Sequence, residues 1–176
     1  MRVTQADAEQ YKEWELQQWG KPSFYATLTA PCPSLSLDDF RGVVRDWAWH
    51  TWTKPEKAHV ALVGWSPVST HANTTATHPH LHLLPRVEGY KTLSEEELKL
   101  SWTAHCMREG LPANKLQCRF DVYDPRRSRL YFWDHHEFHV DMVCPRGRAC
   151  RKGCWFDSNP TQVGDGWLYK DQQPKR

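Results

Sequence analysis

No stretch of this 176-residue chain approaches the about 20 consecutive apolar residues needed to cross a bilayer. The N-terminal MRVTQADAEQ also lacks the apolar centre of a secretory signal. A soluble, non-membrane protein of the cytoplasm, or of a host nucleus if the source is viral, is therefore expected, with its scattered cysteines kept as thiols. Charge of one sign is scarce too: 23 Lys and Arg against 21 Asp and Glu leave a net charge of only +2, so the chain is not overtly basic. Glycine is sparse, at 9 residues against 12 prolines. No internal repeat is visible, which excludes solenoid architectures. Histidine and tryptophan are abundant, at 10 each. Histidines in that number either fill surfaces or build metal and proton-transfer sites, and their clustering decides which.

The chain suits one domain over residues 1–140, followed by a Cys-rich basic tail over 141–176. A first helix is expected from Thr4, with Asp7 three residues on, to Trp19, where Gly20 and Pro22 stop it. Ser23 to Thr29 is rich in β-formers and reads as a strand. Ser36 with Asp39 opens a second helix of about four turns, ending before Pro55. His59 to Trp65 is nearly continuous in apolar residues and reads as an interior strand. A polar loop from Ser66 to Thr77 follows, then a strand from His80 to Leu84 stopped by Pro85. Ser94 to Glu97 is a capping box, with Leu93 and Leu98 placed as a staple, and Leu98, Trp102 and Cys106 share one helical face. Gln117 to Tyr123 alternates, with Cys118, Phe120 and Val122 expected inward, and a short helix is expected around 129–138. This order predicts an α+β fold: a mostly antiparallel central sheet flanked by helices, with a Cys/His-rich basic C-terminal extension.

The densest chemical signal is Thr77-His78-Pro79-His80-Leu81-His82-Leu83-Leu84. Strand side chains alternate, so His80 and His82 share a face with α-carbons about 7 Å apart, while Leu81 and Leu83 take the other. Two neighbouring imidazoles can bind one divalent ion; the bland alternative is a wet strand face that happens to carry them. The string closely resembles the His-hydrophobe-His motif of the HUH endonucleases, in the version carried by rolling-circle plasmid replication initiators. Phe24-Tyr25-Ala26-Thr27-Leu28-Thr29 is similar to that family's first motif. The family's succession of a glycine-containing strand, the histidine strand, a Trp-bearing helix and a further strand is matched by Val60 to Trp65, Glu95 to Met107 and Gln117 to Tyr123.

The resemblance implies that His80 and His82, with His78 as third candidate, hold Mg²⁺ or Mn²⁺ against a scissile phosphate. It implies a tyrosine nucleophile, for which Tyr131 is the first candidate and Tyr123 and Tyr169 the alternatives. The product would be a 5′-phosphotyrosine link and a 3′-hydroxyl able to prime synthesis. The implied substrate is single-stranded or hairpin DNA, the context rolling-circle replication or mobilisation of a plasmid or virus, and the partners a separate helicase and polymerase. The alternative is a non-catalytic nucleic-acid-binding protein of the same fold with a structural zinc site. No carboxylate lies between Glu56 and Glu88, where the family's third ligand would fall.

Two further clusters are candidate sites, the alternatives being a solvated loop with ordinary surface charge and reduced cysteines with one chance disulfide. His139, Cys144, Cys150 and Cys154 bring four candidate Zn²⁺ ligands within about 20 residues, although no C-x-x-C pair is present. Between and before them, Arg126, Arg127, Arg129, Arg146, Arg148, Arg151 and Lys152 outnumber the local acids and suit phosphate contacts. Trp47, Trp49 and Trp52 are read mainly as core, with stacking on unpaired bases as the functional alternative.

Overall fold

The computed structural model describes residues 5–67, 79–88, 92–112, 117–124, 136–144, 161–163 and 166–168. Helix α1 (Gln5–Trp19) leads into β1 (Tyr25–Thr29), and Ser36 caps α2 (Leu37–Ala48), its Oγ accepting from the Asp39 amide at 3.1 Å. α2 ends before Pro55, as expected, but the chain stays helical beyond it. It passes through a π-helical turn (Trp49–Thr53) into α3 (Lys54–Glu56), where Pro55 fits because a first-turn residue needs no intrahelical N–H. The chain then reverses at Lys57, in the left-handed region at φ 55°.

Strands β2 (His59–Pro67) and β3 (His80–Glu88) follow, then α4 (Glu95–Arg108), β4 (Gln117–Asp121) and β5 (His136–Val143). The expected capping box on α4 is present: Ser94 Oγ accepts from the Glu97 amide, and Glu97 accepts from the Ser94 amide at 2.7 Å. At its other end Gly110, at φ +71°, lets the Leu111 amide return to the Cys106 carbonyl at 2.9 Å. Strands β6 (Thr161–Val163) and β7 (Gly166–Leu168) pair with each other.

The main sheet has the order β4-β1-β3-β2-β5 and every neighbouring pair is antiparallel. The α+β class expected from the sequence is therefore what the chain adopts. β2 is paired on both sides, as its apolar run predicted, and β3 is the middle strand.

Three expectations are corrected. β3 runs on to Glu88 rather than stopping at Pro85. N–H and C=O of one residue in an antiparallel strand point the same way, and the Pro85 carbonyl accepts from the Ser23 amide, beyond the start of β1. The missing N–H therefore falls where β1 has left the ladder, and no bond to β2 is lost. Residues 136–138 are strand, not helix, and 129–135 lie outside the described residues. At the end of β4 the alternation breaks: Val122 is 87% exposed and Tyr123 is buried.

Two hydrophobic layers cover the sheet. On one face α2, the π turn and α4 pack Phe40, Val44, Trp47, Trp52, Leu98 and Trp102 onto Ala26, Leu28, Val60, Leu62, Leu81, Leu83 and Phe120. Edge-to-face contacts join Trp47 to Trp52 and to Trp102, with ring centroids 4.9 and 5.4 Å apart. Trp47 and Trp52 are thus core residues, and Trp49 packs against the same layer. On the other face Trp14 and Trp19 of α1 lie over Ala61, Val63, Trp65, Leu84 and Val140. That layer also holds a buried ion pair, Arg86 of β3 with Glu15 of α1. Among the described residues no helix is long and apolar enough to cross a membrane.

Candidate metal and nucleic-acid site

β3 divides its side chains as its period of two requires: Leu81 and Leu83 enter the tryptophan-rich core, while His80 and His82 take the α1 face. The two imidazoles stand edge to face with centroids 5.2 Å apart, and both are half-buried. Across the sheet His82 is level with Thr27 of β1 and Trp65 of β2, and His80 with Thr29. Tyr25 Oη lies 2.9 Å from His82 Nδ1, and Thr27 Oγ1 lies 3.2 Å from the same nitrogen. Thr27 also donates to the Tyr25 hydroxyl at 3.2 Å. The contact of Tyr25 and Thr27 with His82 was not legible, because a partner 57 residues away from Tyr25 in sequence leaves no local pattern.

The pair brings two imidazoles, and so two candidate nitrogen donors, to one face of β3. Among the described residues no group of three or more His, Cys, Asp or Glu side chains is placed to hold a metal. The β2 residue level with His82 is Trp65, an indole rather than an acid. His78, Tyr131 and Tyr169 lie outside the described residues, as do Arg126, Arg127, Arg129, Arg146, Arg148, Arg151 and Lys152. Tyr123, the other candidate nucleophile, is buried in the layer beneath α1.

A cation that sequence reading passed over lies on this face. Arg119 of β4 is level with Thr27, hence in line with His82 two strands away, and its side chain is 65% exposed. It is held by Asp121 at 2.7 Å. An arginine on an edge strand looks like ordinary wet-face alternation, so only the strand order brings it into relation with the histidines.

His139, a candidate zinc ligand, sits on the opposite face. Its Nε2 is 2.5 Å from the Ser66 hydroxyl of β2, and both residues are buried. Burial, and secondarily the Arg41 guanidinium, push its pKa down to about 4, against the opposing pull of Asp141 and Asp38. Asp141 is itself held by Arg41 Nε and Nη2 at 3.1 Å each. Cys144 is buried, which raises its thiol pKa, while Cys150 and Cys154 lie outside the described residues. Among the described residues, Cys32, Cys106, Cys118 and Cys144 are free thiols. Burial pushes the Cys106 thiol up to about 12, so it is inert at neutral pH.

Gly64 sets how closely β2 approaches the histidine strand. A Cβ there would lie 2.6 Å from Leu83 Cδ2 and 2.9 Å from the His82 carbonyl oxygen. The second contact is backbone and cannot swing away. Gly64→Ala is expected to destabilise the fold by about 1–3 kcal/mol, read from the urea midpoint, and to perturb the His82 imidazole resonances.

Comparison with protein-family models, curated proteins and solved structures returns no match. The functional reading therefore rests on the residues and geometry of this chain.

Proposed function

We propose that this protein binds single-stranded or hairpin DNA and nicks it, as an HUH-type enzyme serving rolling-circle replication or mobilisation of a plasmid or virus. The observation that carries this reading is the His80–His82 pair, side by side on the middle strand of an antiparallel sheet. The strand bearing Thr27, Leu28 and Thr29 adjoins it directly. Mg²⁺ or Mn²⁺ on these histidines would supply Lewis-acid polarisation of the scissile phosphate. Imidazole is softer than Mg²⁺ prefers, which favours Mn²⁺.

Within this reading Tyr131 attacks phosphorus through its phenolate oxygen. The new Tyr O–P bond replaces the bond to the 3′-oxygen, which leaves as a 3′-hydroxyl after taking up a proton. Arg119, 65% exposed and ion-paired to Asp121, offers a guanidinium on the sheet face that bears the histidines, one able to exchange that carboxylate for a phosphate of the DNA backbone. The basic residues from Arg126 to Lys152 would add phosphate contacts, whereas His139, buried on the opposite face with Nε2 against Ser66, does not fit a Zn²⁺ ligand of this surface.

Trp65 beside His82, where an acid would complete a ligand set, favours a second reading: a nucleic-acid-binding protein of the same architecture that does not cut. Incubation of full-length protein with labelled single-stranded and hairpin oligonucleotides and Mn²⁺, resolved under denaturing conditions, separates the two. Cutting predicts a covalent adduct that Tyr131→Phe abolishes and His80→Ala/His82→Ala lowers by about 100-fold or more. An adduct that survives Tyr131→Phe but not Tyr123→Phe or Tyr169→Phe moves the nucleophile. Retention of DNA without adduct across varied sequences selects the binding protein.

A further inference from the structure

His82 Nδ1 is met by two hydroxyls from one neighbouring strand. Tyr25 Oη stands 2.9 Å away and Thr27 Oγ1 3.2 Å, and the two hydroxyls are bonded to each other at 3.2 Å. The Tyr25 and His82 rings lie within 26° of parallel, with centroids 6.4 Å apart. Because Tyr25 and Thr27 sit two residues apart on β1, both point to the histidine face, and the register that puts Thr27 level with His82 brings the phenol alongside.

This arrangement has a chemical consequence. A neutral imidazole that ligates a metal through Nε2 must carry its proton on Nδ1 and donate it to something. A phenol can accept that proton's hydrogen bond, and it can also donate to Nδ1 when the proton sits on the other nitrogen. A carboxylate could only accept and would add charge, whereas the hydroxyl pair serves both tautomers without altering the net charge of the site.

Resting on the metal-binding role given to His80 and His82 above, we infer that Tyr25, backed by Thr27, is a positioning residue that fixes the ring orientation of His82 and accepts its Nδ1 proton's hydrogen bond during divalent-metal ligation through Nε2. Tyr25 is thereby assigned a role distinct from that of the nucleophile, although its hydroxyl is hydrogen-bonded to His82.

Tyr25→Phe keeps the ring and its packing and removes only the hydroxyl; Thr27→Val removes the second hydroxyl at nearly constant shape. The test is made on full-length protein by two readouts: the imidazole ¹⁵N shifts of His82 without metal, and Mn²⁺ affinity from the electron paramagnetic resonance of free Mn²⁺. Thermal unfolding of each variant is followed in parallel. Tyr25→Phe is expected to weaken Mn²⁺ binding about tenfold, Thr27→Val by less, and the double variant by up to about 100-fold. The His82 Nδ1 shift should move in the metal-free protein while thermal unfolding stays near that of wild type. If Tyr25→Phe binds Mn²⁺ as tightly as wild type and leaves the Nδ1 shift in place, the positioning role is overturned and the histidine metal site stands. If instead His80→Ala/His82→Ala binds Mn²⁺ as wild type does, the metal site itself fails and the positioning role fails with it.

Discussion

Replacing Glu15 by alanine should lower the free energy of unfolding by about 3–5 kcal/mol, read from urea denaturation. Arg86 would then lose the Glu15 carboxylate while staying buried between α1 and the sheet, where its side chain is 1% exposed. Two other groups of Arg86 are already committed, Nε to the Gly20 carbonyl at 3.2 Å and Nη1 to the Leu84 carbonyl at 2.5 Å. It therefore cannot turn to water without giving up both. The desolvation of a buried ion exceeds what a pair recovers unless every donor is used, so removal of one partner costs far more than removal of both. The double variant Glu15→Leu/Arg86→Met should accordingly recover most of the loss. A Glu15→Ala protein within about 1 kcal/mol of wild type would show that the pair contributes little.

Acid should weaken the fold through His139. Its folded pKa, near 4, lies below the value of 6.5 for an unperturbed histidine, so the unfolded chain binds the proton more readily. The stabilising contribution is fully present above about pH 6.5, shrinks as the pH falls through that value, and is lost by about pH 4. Its size follows from the separation of the two pKa values and is about 3 kcal/mol. Titration of stability against pH in wild type and in His139→Leu checks this. The variant should show a shallower decline between pH 6.5 and 4, because no buried imidazole there awaits a proton. Equal slopes in the two proteins would rule out His139 as the source. Ser66 belongs to the same unit, since its hydroxyl is the neighbour that the neutral Nε2 meets.

How much of this was legible varied with the range of the interaction that decided each feature. The Ser36 and Ser94 caps, the Leu98–Trp102–Cys106 face and the opposite orientation of His80 and Leu81 follow from residues a few positions apart, and local periodicity reports them. The continuation of β3 past Pro85 was hidden because proline interrupts a strand unless its nitrogen faces an unpaired side, and that depends on where β1 begins. β5 was obscured by aromatics and histidines just before it, which imitate helical spacing, although Val140 and Met142 alternate with His139 and Asp141 across its two faces. Long-range polar pairs were the least visible. Glu15 with Arg86, Ser66 with His139 and Tyr25 with His82 join residues 71, 73 and 57 positions apart, and each partner alone resembles a surface residue.

The two-sided character of β3 carries one more consequence. A one-residue slip of that strand would drive both histidines into the tryptophan core and turn Leu81 and Leu83 outward. Gly64 fitted against Leu83, Pro85 placed where β1 has ended and Arg86 locked to Glu15 each oppose the slip from a different neighbour. The imidazole pair is therefore an all-or-none possession of the folded chain. In a partly denatured sample, the metal binding proposed for it should track the native fraction, with the intrinsic affinity of each remaining native molecule unchanged.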